Sequence, residues 1–250
     1  MDEGIAGRAY GRVVKIMKLG IMQPYIFPYI GYFQLIKAVE KFVCYDDVAF
    51  IKQGWINRNR ILINGQPFVF TIPLHQASSY TLIKDTMIDE KKYEIWKKKF
   101  YKTLEQNYRK ANYFNETFAI VKQVLDEKHD CISMLASSSI EAVCKYLSIN
   151  TYIQKTSVYY SNEHLKAESR IINICKQEYA KIYVNVAGGF NLYSRDNFLN
   201  NDIVLQFIKY GDIRYAQFKE PFCPWLSIID VMMFNSVERI QEMLKNREIL

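Results

Sequence analysis

The chain is short of the residues that usually mark a chemical site. Only three histidines and five cysteines occur among its 250 residues. The cysteines, Cys44, Cys131, Cys144, Cys175 and Cys223, are scattered and odd in number, and no two form a CxxC pair. That pattern argues against a disulfide framework and for small buried hydrophobes in a reducing compartment, with Cys223 in a loop between prolines. No spacing of histidines and carboxylates matches a metal-ligand set, so no metal is expected. No Ser–His–Asp or Cys–His arrangement can be read. No apolar run approaches the roughly 18 residues that span a membrane. Residues 1–16 lack the apolar centre of a signal peptide and read as an N-terminal extension, with Met17 opening the first strand. Repeats, low-complexity tracts and linkers are also missing. The expectation is one domain over 17–250 in the cytoplasm.

What is abundant is apolar and aromatic. Half the residues are hydrophobic, enough to bury a sizeable core, and the 19 tyrosines and 15 phenylalanines supply walls with hydroxyls attached. The net charge of +7 favours anionic partners such as nucleotide phosphates. Along the helix expected after Asp89, lysines 91, 92, 97, 98, 99 and 102 share the face opposite Tyr93, Trp96, Phe100, Leu104 and Tyr108. This reads as a solvated face, not a nucleic-acid surface.

Periodicity predicts an α/β fold with a mostly parallel sheet flanked by helices. Lys18–Gln23 and Lys41–Tyr45 read as strands and Gly31–Val39 as the helix between them, a βαβ unit. Pro67–Leu74, Leu82–Ile88, Thr151–Tyr159, Lys181–Val186 and Asp202–Tyr210 read as further strands. Helices are expected over residues 90–108, Tyr113–Leu125, Ile132–Leu147 (capped by Asp130), Lys166–Glu178, Leu226–Phe234 and Val237–Leu250. Three of these make a helical segment around residues 90–148.

Chemistry concentrates between Lys18 and Arg60. Gln23, Tyr25, Tyr29 and Tyr32 line a proline-stiffened loop after the first strand. Asp46 and Asp47 close the second strand, where alternation would turn one carboxylate toward the strand-end cleft. Such a carboxylate can take a proton from an amine or hold a sugar hydroxyl. Lys52, Trp55, Asn57, Arg58, Asn59 and Arg60 follow. Guanidinium forks suit phosphate oxygens, and Trp55 can stack on a ring. On a strand, Asn57 and Asn59 would share one face and Arg58 and Arg60 the other. Asn57 and Arg58 are the favoured pair, and Arg60 is left open. Asn64–Gly65 is a hairpin dipeptide. His75 stands after a strand as a candidate base, and Gly188–Gly189 follows a strand where backbone N–H groups can meet a phosphate.

The segments MQPYIFPYIGYFQLI (Met22–Ile36) and YDDVAFIKQGWINRNRI (Tyr45–Ile61) resemble the WbqC-like family of bacterial surface-polysaccharide (O-antigen) gene clusters. Phe70–Leu74, Asn107–Phe114, Gly188–Tyr193 and Ser227–Asn235 follow in the family's order, so the likeness covers nearly the whole chain from Met17. Ala49 and Ala111–Asn112–Tyr113 depart from it. The resemblance implies a transferase that moves an acyl or aminoacyl group, glycyl among them, onto a nucleotide-linked amino sugar, with an activated acyl donor as co-substrate. Asp46, Asp47, Asn57 and His75 would then be catalytic. Gln23, Tyr29, Tyr32, Lys52, Trp55, Arg58, Asn59, Gly188 and Gly189 would bind substrate. Two alternatives stand beside it. One is a non-catalytic nucleotide-sugar-binding module. The other is a nucleotidyltransferase-like enzyme, in which Tyr29 and Tyr32 stand near the places of the missing paired histidines.

Overall fold

Val, Ile and Phe fill both faces of most of the main strands, the pattern of a parallel sheet covered on two sides. A computed structural model describes residues 16–250 and places them in that arrangement. The expected N-terminal extension lies, but for Ile16, outside the described residues. Strand β1 (Lys18–Met22) leads through a loop to helix α1 (Ile30–Ile36), and β2 (Lys41–Cys44) pairs parallel with β1. A two-stranded hairpin, β3 (Arg58–Ile63) and β4 (Gln66–Thr71), stands outside the sheet. Its turn is Asn64–Gly65, both residues with positive φ, as a tight two-residue hairpin requires.

The helical middle comprises α2 (Glu90–Tyr108), α3 (Phe114–Asp126) and α4 (Ile132–Tyr146). Asp89 caps α2 by accepting from Lys92 N at 3.2 Å. Then come β5 (Tyr152–Gln154), α5 (Ala167–Gln177), β6 (Ile182–Val186), α6 (Arg195–Leu199), β7 (Val204–Tyr210), α7 (Ile228–Phe234), α8 (Val237–Met243) and β8 (Arg247–Ile249). The sheet order is β5-β2-β1-β6-β7-β8, parallel throughout except for β8. Side-chain alternation divides the core. Leu19 and Ile21 of β1 and Leu205 and Phe207 of β7 face α5 and α6. Phe42, Cys44, Val184 and Ile208 face the larger layer of α1–α4, α7 and α8.

Four expectations change. The strand expected over Thr151–Tyr159 shortens to β5, and its far end becomes a 3-10 turn, Val158–Tyr160. Leu82–Ile88 is not a strand: a 3-10 turn, Ile83–Asp85, intervenes, and Thr86 Oγ1 closes it by donating to Leu82 O at 2.8 Å. Only single bridges, Ala49 with Leu82, Leu74 with Ile88 and Met87 with Cys131, remain of the pairing. The last segment is not helical to Leu250, because Arg247–Ile249 adds an antiparallel edge to β7. Helix α4 is capped at Cys131, and Asp130 instead offers its carbonyl to Ile88 N.

Candidate functional site

Strands β2 and β5 lie on one side of β1 and β6, β7 and β8 on the other. The chain order therefore reverses between β1 and β6. Ligands of open α/β sheets bind beyond the carboxyl ends of the strands at such a reversal. The loops leaving β1 and β7 both run to that edge, and there they enclose two adjoining cavities. The larger, about 390 Å³, lies between the start of α1 and the segment after β7, with Gln34, Tyr210, Ile213 and Tyr215 in its wall. The smaller, about 220 Å³, is lined by Tyr25, Pro28, Trp55, Asn59 and Arg60. Tyr29 and Trp225 line both, their ring centroids 5.7 Å apart in an edge contact.

The smaller cavity is built by hairpin chemistry. Asn57 precedes β3, and Arg58, Asn59 and Arg60 open it. Asn59, 4% exposed, donates through Nδ2 to Phe27 O at 2.8 Å and to Ile26 O at 3.2 Å, pinning the loop after β1. Asn57 Nδ2 donates to Ile72 O at 3.0 Å and extends the hairpin ladder. Both arginines stack on Trp55, with guanidinium-to-centroid distances of 5.6 Å for Arg58 and 5.5 Å for Arg60. Arg58 donates through Nε to Gly54 O and through Nη2 to Gln53 O in the preceding turn. Arg60 gives one, Nη2, to Trp225 O at 2.8 Å, and its Nε is buried without an acceptor. Arg60, the residue left open, is the arginine that lines the cavity.

The larger cavity has a buried carboxylate behind its wall. Asp230, fully buried, accepts from the hydroxyls of Tyr108 and Tyr215, each at 2.7 Å, and from Gln217 Nε2 at 3.2 Å. Burial raises its carboxyl above the usual range, and the three hydrogen bonds offset part of that rise. The Tyr215 hydroxyl is pushed well up by burial and by the Asp230 charge, and Tyr29 is raised by burial to about 12. Both remain protonated donors at neutral pH.

The other expected residues lie apart from these cavities. Asp46 is 3% exposed: its Oδ1 accepts from Thr156 Oγ1 and Ser157 N, each at 2.9 Å, and its Oδ2 from Ser133 Oγ at 2.6 Å. Asp47 meets Ser157 Oγ and makes a buried ion pair with Arg170, whose guanidinium also covers the Tyr45 ring at 5.0 Å. The two carboxylates do not face opposite ways as strand alternation predicts, because β2 ends at Cys44 and both turn to Ser157. Tyr32 is a core residue whose hydroxyl donates to Gln23 O at 2.9 Å. Gln23 sits half-buried at the end of β1, and Lys52 and His75 are exposed on turns. Gly188–Gly189 opens a 3-10 segment after β6, not a simple turn. Sequence reasoning missed Gln34, Tyr210, Tyr215, Trp225 and Asp230. One signal was present: Asp230 is a lone charge within the apolar run Ile228–Phe234, where a carboxylate needs a dedicated partner.

A family model described as the WbqC-like protein family matches residues 23–242. The chain belongs to the WbqC-like family. A relative from Mycobacterium tuberculosis (strain ATCC 25618 / H37Rv), named "Uncharacterized protein Rv1507c", is 32% identical over 221 residues, covering 87% of this chain and 93% of the relative. No solved structure matches the chain. The matched span of the WbqC-like model includes β1's loop, the hairpin, Asp230 and the whole double cavity. Among the described residues, no helix is long and apolar enough to cross a membrane.

Proposed function

We propose that this WbqC-like protein is a transferase of surface-polysaccharide biosynthesis that moves an acyl or aminoacyl group onto a nucleotide-linked amino sugar. The observation that carries this reading is the aromatic double cavity at the strand-order reversal, with Arg60 offering a buried donor that no protein atom takes. Ring planes from Trp55, Tyr29 and Trp225 suit a base or a sugar face, and a guanidinium with a free N–H suits a phosphate. In acyl transfer the sugar amine attacks the donor's activated carbonyl, the bond to the leaving group breaks, and the amine proton must be taken up. Asp46 and Asp47 have their oxygens filled by Ser133, Thr156, Ser157 and Arg170, so we assign them to holding the end of β2. We assign proton uptake to Tyr215, which would pass its own proton to Asp230 as it accepts one.

Mass spectrometry of nucleotide-linked amino sugars incubated with the protein and a panel of activated acyl donors tests the reading. The expected result is a mass gain on the sugar that Arg60→Ala lowers by roughly tenfold or more, the order expected for a lost charge-assisted hydrogen bond. Saturable binding with no product from any donor would leave a binding module in place of an enzyme. Release of pyrophosphate from ATP would point to nucleotidyl transfer.

A further inference from the structure

Helix α2 carries most of the molecule's excess charge. Residues 90–110 hold eight basic and three acidic side chains, hence +5 of the chain's net +7. Tyr93, Phe100, Leu104 and Tyr108 bury one side of the helix, which fixes the face left outside. Lys91, Lys98, Lys99, Lys102, Arg109 and Lys110 are all exposed, and none makes an ion pair with a described residue. Acids engage only two other lysines. Asp89 holds Lys92 at 2.7 Å, and Glu94 and Asp126 draw Lys97 sideways at 2.8 and 3.3 Å. Lys102 lies within four residues of both Lys98 and Lys99, and like charges so spaced repel. Ile95 stands in the middle of the face, 59% exposed. Residues three and four positions away are neighbours on a helix surface. For Ile95 these are Lys91, Lys92, Lys98 and Lys99, a lysine in each of the four places.

We infer that this face of α2 docks on an anionic lipid surface, with Ile95 entering among the headgroups and the lysines on lipid phosphates. Long lysine stems keep their ammonium groups at headgroup level while an apolar side chain between them leaves water. The 19 residues of α2 lie about 28 Å along such a plane. Duplex nucleic acid also presents phosphates, but it offers an isoleucine no apolar layer, and no aromatic of α2 is exposed to stack on a base. The face expected to be merely solvated is thus a basic ring around an apolar centre. Docking there is independent of the transferase reading, because no residue of α2 lines either cavity.

Co-sedimentation of the full chain with sucrose-loaded vesicles tests the surface. The vesicles are pure phosphatidylcholine or an equimolar mixture of phosphatidylcholine and phosphatidylglycerol, at about 0.15 M salt, where exposed charges are screened beyond roughly 8 Å. Binding is expected to the mixed vesicles alone, and to weaken as salt is added. A lysine near such a surface contributes roughly fivefold, so Lys98→Gln combined with Lys102→Gln is expected to weaken binding roughly twentyfold. Lys176→Gln combined with Lys181→Gln removes the same charge from α5 and the start of β6, and is expected to change little. Ile95→Ser is expected to weaken vesicle binding roughly threefold or more. All these side chains are exposed, so circular dichroism should show the fold unchanged in each variant. No binding to the mixed vesicles, equal losses from the two lysine pairs, indifference to Ile95→Ser, or tighter binding to a random duplex DNA than to the vesicles would overturn the inference.

Discussion

Asp47 and Arg170 form an ion pair whose side chains are each 5% exposed. Asn162 holds Arg170 Nε at 2.9 Å, and the Tyr45 ring covers the guanidinium. A buried pair of this kind adds little net stability over an apolar substitute, but removing one partner strands the other charge in the interior. Arg170→Met is therefore expected to cost about 3–5 kcal/mol, read as a lower urea midpoint with an unchanged slope. A loss under about 1 kcal/mol would show that Asp47 finds water or another donor. The same residues explain why the paired carboxylates drew attention in the sequence. Two adjacent acids at a strand end look alike whether they await a substrate or bind the chain's own serines. The partners, Ser133, Thr156, Ser157 and Arg170, lie 86 or more residues away in sequence and belong to no local pattern.

At the scale of elements, α1 shows how a loop and a short helix set the width of a cavity. A Cβ built on Gly31 would lie 2.4 Å from Tyr29 Cε2 and 3.0 Å from the Tyr210 ring. Its backbone is ordinary helix, so Gly31→Ala gains helix propensity, up to about 1 kcal/mol, and the cost falls on the tyrosines. The Tyr29 ring must swing, and it forms the wall between the two cavities. The expected outcome is a near-unchanged melting temperature with ligand affinity down about tenfold, ~1.4 kcal/mol, by calorimetry. Unchanged affinity would mean the ring yields away from the ligand path. The βαβ unit, the Asn64–Gly65 hairpin and the three middle helices were legible because each is specified within its own segment. Strand β8 was not, since Arg247–Ile249 continues an apparently helical run and becomes a strand only by pairing with β7. The cavities were half legible. Trp55, Tyr29 and Arg60 fall in one dense stretch, whereas Gln34 reads as a plain helix residue, and Trp225 joins Arg60 across 165 positions of chain.

Taken whole, the molecule is a sheet whose connections diverge from β1, with the larger helical layer on one face and α5 and α6 on the other. The two cavities lie where the loops leaving β1 and β7 meet, toward the carboxyl ends of the strands. The distribution of tryptophan over this architecture has a practical consequence. Only three are present. Trp55 and Trp225 border the cavities, while Trp96 stacks between Tyr93 and Phe100 on the helical side. Intrinsic fluorescence should thus report occupancy without any label. With Trp96→Phe removing the background, emission from the remaining two indoles is expected to shift or quench as a nucleotide diphosphate is titrated in, and a spectrum that stays constant at saturation would place the ligand elsewhere.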